Sequence, residues 1–166
     1  MAYYDPTVWI MSDDHLLPAI EDILKARKKA YPRQVTQNRS FAPLSAVELG
    51  VPLPDSREEL RLTEWEDREG KLYIDLRHKS SFVRKGHFNH TWHTNPNKQA
   101  IPPPHHIHFP TANYPLKEHF YMYQKEHTYA YQVQSENDCV NALLKFCLDT
   151  NIDIQGIWFP LLRRYQ

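Results

Sequence analysis

Only two cysteines occur in the 166 residues, Cys139 and Cys147. They stand eight apart in a helical pattern, about 12 Å of helix rise, which is out of disulfide reach. A reduced, cytoplasmic protein is expected. An excess of either charge is missing too: 20 basic and 20 acidic residues cancel, and the pI is about 7.2. That excludes a histone-like or strongly polybasic chain. No apolar run approaches the roughly 18–20 residues of a membrane helix, so no membrane partner is expected. The start, Met1-Ala2-Tyr3-Tyr4-Asp5-Pro6, lacks the basic and apolar stretches of a signal peptide.

Carboxylates are absent from residues 76–117, and neither CxxC nor HExxH occurs anywhere. A Mg²⁺ or Ca²⁺ site needs carboxylates, so nuclease chemistry dependent on those ions is not expected. Structural zinc draws thiolates, but both cysteines fall on a helix face that reads as buried. No cofactor and no metal are expected on this basis.

Histidine is abundant. Nine of the ten histidines lie between His78 and His127, and seven between His78 and His108. His106-Ile107-His108 follows three prolines, and in extended chain residues i and i+2 face one side. His105 then points the other way. Such a pair can bind a metal, act as base and acid, or simply hydrogen-bond at a wet surface. His87, His90 and His93 are three apart; on a strand His87 and His93 share a face and His90 does not.

Charge is segregated along the chain. Residues 25–39 carry six bases and no acid, 47–69 carry eight acids and three bases, and 71–98 carry six bases and one acid. Either this is solvated surface or it makes a local anion-binding face.

The pattern predicts an α+β fold: an antiparallel β-sheet with an N-terminal helix and a C-terminal amphipathic helix packed on it. Residues 3–11 read as a short strand or arm. Pro18 suits the first turn of a helix, and Pro32 stops it. Residues 32–57 are Pro-rich and irregular. Leu60–Leu76 reads as a hairpin turning at Glu66–Gly70, residues 81–94 as a further strand, and residues 117–133 as a Tyr-rich strand pair or one long bent strand. A helix over 135–149 starts at Ser135 and buries Val140, Leu143, Leu144 and Cys147. Ile152–Phe159 suggests a last strand or packed tail. The chain divides into 1–57, a helix with a Pro-rich arm, and 58–166, the His-rich core, in one compact domain.

Histidine, Arg/Lys and Tyr without acid suit metal-independent cleavage of RNA. A neutral imidazole takes the 2′-hydroxyl proton, an imidazolium protonates the leaving 5′-oxygen, and a cation stabilises the phosphorane. The expected catalytic residues are His106, His108, His87, His93, Arg84 and Lys85. Arg77 and Lys79 are expected to hold the RNA backbone, and Trp92, Tyr121 and Tyr123 to stack on bases. The alternatives are a non-catalytic nucleic-acid- or protein-binding module and a His-rich metal site. A rolling-circle endonuclease would pair the His-hydrophobic-His motif with a catalytic tyrosine, but an obvious third metal ligand is absent. The spacing of His105, His106, Asn113 and His119 is too short for an HNH unit.

Over roughly residues 60–150 the chain resembles the TumE-like toxins of bacterial toxin–antitoxin pairs. The resemblance lies in the turn Asp67-Arg68-Glu69-Gly70-Lys71-Leu72, a polar strand, the box Pro104-His105-His106-Ile107-His108 and the helix after Ser135. It implies a small cytoplasmic toxin acting on RNA and neutralised by an antitoxin protein.

Overall fold

The computed structural model describes residues 3–33, 46–116 and 127–157. In chain order these form α1 (Pro18–Lys25), β1 (Lys28–Lys29), β2 (Tyr31–Pro32), β3 (Ala46–Pro52), β4 (Glu59–Glu66) and β5 (Leu72–His78). Then come β6 (Ser81–Phe88), β7 (His93–Thr94), β8 (Ala100–Ile101), β9 (His105–Phe109), β10 (Tyr129–Gln132), α2 (Cys139–Asp149) and β11 (Ile152–Asp153). Seven strands make one antiparallel sheet in the order β10-β9-β6-β5-β4-β3-β2. With its two helices the architecture is α+β. Among the described residues no helix is long and apolar enough to cross a membrane.

The β4–β5 hairpin forms where the period of two predicts it. Asp67 Oδ1 accepts from the amides of Glu69 and Lys71, both at 2.9 Å, and Gly70 takes φ +82°. Only glycine enters that conformation without steric cost. Along these strands Leu60, Leu62, Leu72, Ile74 and Leu76 fall on one face and are buried.

Three sequence expectations need correction here. Residues 32–57 are not uniformly irregular: β3 pairs with β4 along its whole length and sends Val47, Leu49 and Val51 into the core. The N-terminal segment is therefore part of the sheet. Residues 3–11 contain a short 3-10 turn, Thr7–Trp9, rather than a strand. The strand expected over 81–94 stops at Phe88. Of the strands expected in 117–133, β10 is present, and residues 117–126 lie outside the described ones.

The C-terminal helix also starts later and turns differently. Asp138, not Ser135, is its N-cap, accepting from Asn141 N at 2.8 Å. It buries Cys139, Ala142, Leu143, Phe146 and Cys147, and leaves Leu144 47% exposed. Gly86 decides that phase. A Cβ there would come within 2.9 Å of the Phe146 ring, so the missing side chain makes room for Phe146 against β6. Leu143→Ala is expected to cost about 2–5 kcal/mol, and Leu144→Ala less than about 0.5 kcal/mol. Urea unfolding of the two variants checks the phase of the helix.

Two buried charges fix α1. Lys28 Nζ donates to the carbonyls of Ile23 and Leu24, both at 3.0 Å, and to that of Ala26, satisfying the end of the helix. Arg84 Nη2 reaches both oxygens of Glu21 at 2.9 Å. Glu64 is a further buried charge-capable group, and neither of its oxygens has a hydrogen-bond partner. Burial, and then the charges of Asp138 and Glu66, hold its carboxyl well above the usual range, which favours the neutral form.

Candidate functional site

The face of the sheet opposite α2 carries the histidines. In β9, His106 and His108 point to one side and His105 to the other, as their spacing predicts. His87 in β6 stands directly opposite His106, and Lys85 opposite His108. The rings of His106 and His108 lie 4.7 Å apart, and those of His87 and His108 4.5 Å apart. His108 Nε2 is 3.2 Å from His87 Nδ1. One ligand atom from each of His87, His106 and His108 can be chosen so that all lie within 4.8 Å of one another. Among the described residues these three form the group able to hold a metal.

His90 and His93 join them from the segment after β6. Asn89 takes φ +62°, a left-handed conformation that asparagine tolerates. The chain turns there, and the His90 ring stacks on His87 at 4.4 Å. The strand periodicity that places His90 on the far side ends at Phe88, two residues before it. His93 stacks on His106 at 5.3 Å, and its Nε2 donates to the Thr128 carbonyl at 2.8 Å. Tyr73, stacked on Trp65 at 4.0 Å, presents its ring to His87 and His90 and walls the cluster on the β5 side.

The imidazoles floor a cavity of about 770 Å³. Its rim carries the exposed residues Trp92, Lys98 and His127. Among the described residues no carboxylate lines it, and Lys98 is its one Lys or Arg. Asn95 secures the covering loop: its Nδ2 donates to Ala130 O at 2.9 Å, and its Oδ1 accepts from Ala130 N at 2.8 Å. One amide side chain thus completes both hydrogen bonds of a β10 residue.

Burial governs the electrostatics of the floor. It pushes His106 down to about 3, helped by the neighbouring imidazoles of His93, His90 and His105. It pushes His90 down to about 4 and lowers His93. These imidazoles are therefore neutral at physiological pH. Neutral imidazole accepts a proton or a metal ion, but it is not the resting acid that metal-free cleavage requires of a partner. His106 Nδ1 is buried with no hydrogen-bond partner. His108 Nδ1 is 2.9 Å from Thr128 Oγ1.

Several expected site residues sit elsewhere. Arg84 alternates away from His87 and lies on the core face, between Glu21 and the Phe109 ring. Lys85 is on the histidine face but fully buried, its Nζ 4.2 Å from the Phe82 ring rather than in the cavity. Arg77 and Lys79 lie toward the other end of the β5–β6 hairpin, about 13 Å and about 20 Å along the chain from Tyr73, the cross-strand partner of His87, at the usual strand rise. Arg77 packs over Phe82, and Lys79 pairs with Glu58. Tyr121 and Tyr123 lie outside the described residues. His105 is structural, accepting from Asn89 N at 3.0 Å and donating to Ser135 O at 3.0 Å.

The separated charge blocks also fold onto one another. Glu48 meets Arg33 and Arg61, Glu59 meets Arg33, Glu58 meets His78 and Lys79, and Glu69 meets Lys71. Two of the six bases of 71–98, Lys71 and Lys79, thus pair with the acidic segment, Arg84 pairs with Glu21, and among the described residues the basic group lining the cleft is Lys98. His90, Lys98, His127, Asn95 and Thr128 were not among the site residues expected from sequence. The dense run of histidine is the signal that points to His90 and His127.

No family model, curated protein or solved structure matches the chain. The reading of the cleft therefore rests on its residues.

Proposed function

We propose that this cleft cleaves RNA, and that the protein is the toxin of a toxin–antitoxin pair acting in the cytoplasm. The observation that carries the reading is the convergence of His87, His90, His93, His106 and His108 on one cavity. The resemblance of the Pro104–His108 box to TumE-like toxins supplies the biological setting and the antitoxin as partner.

The chemistry follows from the groups present. A base on the cavity floor takes the proton of a 2′-hydroxyl, and the 2′-oxygen attacks phosphorus. As the O2′–P bond forms, the P–O5′ bond breaks, and the 5′-oxygen takes a proton from an acid at the wet rim, where His127 stands. The products are a 2′,3′-cyclic phosphate and a 5′-hydroxyl. Lys98 is placed to offset charge on the phosphorane. Trp92, 65% exposed at the rim, offers a ring on which a base stacks.

Purified protein incubated with structured and unstructured RNA tests this. Cleavage of RNA leaving a cyclic phosphate, with DNA resistant for want of the 2′-hydroxyl, is the expected result. Binding should weaken with salt, with a log–log slope near −0.7 for each phosphate contacted. No cleavage of any RNA, together with a tight protein partner, would mean that the chain is a binding module instead.

A further inference from the structure

We propose that His87, His106 and His108 together hold one divalent transition-metal ion of the zinc class, with a coordination position left open to the cavity. The inference concerns the same cleft and rests on reading it as the functional site.

Three features of the geometry lead there. First, His87 Nδ1 and His108 Nε2 are 3.2 Å apart. Zinc–nitrogen bonds of about 2.0–2.1 Å in a tetrahedron place neighbouring ligand atoms about 3.3–3.4 Å apart, so this edge of the polyhedron is already formed. Second, His106 Nδ1 is buried without a hydrogen-bond partner. Leaving such a group unsatisfied costs about 1–3 kcal/mol, and a cation beside it would complete its bonding. Third, His108 Nδ1 lies 2.9 Å from Thr128 Oγ1. With Nδ1–H donating to that hydroxyl, Nε2 keeps its lone pair toward His87. Outer hydrogen bonds of this kind orient metal-binding imidazoles.

The donors select the ion. Three imidazoles without thiolate or carboxylate suit zinc, copper, nickel or iron and not Mg²⁺ or Ca²⁺. Three protein ligands with an open fourth position are the arrangement of catalytic rather than structural zinc. The two strands provide it directly, since i, i+2 in β9 and the cross-strand position in β6 fall on one face. If bound there, such an ion would be held by His87, His106 and His108 and would supply a water of lowered pKa at the cavity. The metal-free mechanism expected from the sequence is then replaced.

The test needs no RNA. Tag-free protein, stripped with chelator and dialysed, is titrated with Zn²⁺ by calorimetry and with Co²⁺ by visible absorption. One ion per chain is expected, with the intense visible bands of tetrahedral cobalt. His106→Ala and His108→Ala should lose measurable binding, and Thr128→Val should bind about 10–100-fold more weakly. His78→Ala, which removes an imidazole paired with Glu58 elsewhere, should bind as wild type does. Circular dichroism shows whether each variant folds; should the histidine variants not fold, Thr128→Val decides. Failure of the folded wild type to bind zinc overturns the site, as does Thr128→Val binding like the wild type. Zinc binding without RNA cleavage would leave this site standing and remove the ribonuclease reading. Cleavage without zinc binding would do the reverse.

Discussion

His106→Ala is expected to slow RNA cleavage by about 10²–10⁴-fold, the scale on which loss of a group central to proton transfer is felt, whether that imidazole moves the proton itself or holds the ion that does, while the protein stays folded. His106 lies at the centre of the cluster, with His93 stacked on it and His87 and His108 in edge contact. Its Nδ1 makes no hydrogen bond that the substitution could break. His105 supplies the contrast, one residue away. Both its ring nitrogens are hydrogen-bonded to backbone, at Asn89 N and Ser135 O, and its ring is on the core side. His105→Ala leaves those groups without partners, which costs about 1–3 kcal/mol when they are buried, yet it removes nothing from the cavity. Single-turnover cleavage and thermal melting of the two variants should therefore separate. The first should lose rate and keep its melting temperature, and the second should lose melting temperature first. A His106→Ala protein that cleaves at the wild-type rate would place the chemistry outside this cleft.

Arg84→Met is expected to destabilise the fold by about 3–5 kcal/mol, because it strands Glu21 as a buried, uncompensated carboxylate. Arg84 is 1% exposed and Glu21 4% exposed, and the fork contacts both carboxylate oxygens. Tyr3 also donates to Glu21, so the tyrosine keeps one contact when the guanidinium goes. Replacing both partners, Glu21→Met with Arg84→Met, should recover most of the loss, since a well-packed apolar pair commonly matches a buried ion pair. Chemical denaturation of the two singles and the double measures the coupling. If Arg84 faced the RNA instead, Arg84→Met would weaken substrate binding and leave stability nearly unchanged.

Arg84 also shows what sequence can and cannot reveal. Its charge and its nearness to His87 suggested a place in the site, but β-strand alternation puts residues 84 and 87 on opposite faces. Parity alone carried that information. The same parity makes the pair His106 and His108 legible, and the hairpin of β4 and β5 is legible from alternating leucines around an Asp-to-Gly turn. β3 was hidden because Pro43, Pro52 and Pro54 surround its three alternating apolar residues and Gly50 interrupts them. His90 was misplaced because the direction of the chain changes at one left-handed asparagine, which no periodicity registers. The phase of α2 was ambiguous because its apolar stripe is wide, with Val140 and Leu144 flanking the true buried set. Only the space over Gly86, a tertiary feature on another element, selects Phe146. The pairing of acidic with basic segments depends on which strands become neighbours, so composition along the chain could not anticipate it.

The three converging imidazoles come from strands separated in sequence by two short strands and a loop, and β9 lies between β6 and β10. During translation His87 emerges well before His106 and His108, and the strand that flanks them, Tyr129–Gln132, emerges later still. At a synthesis rate of about 5–20 residues per second, a few seconds separate the first of these events from the last. Once His108 has emerged, and until Tyr129–Gln132 follows, the nascent chain holds the three histidines without the strand that flanks β9. A message broken between the codons for residues 109 and 127 would yield a chain with every floor histidine but without His127 at the rim, Thr128 beside His108, or the edge strand β10.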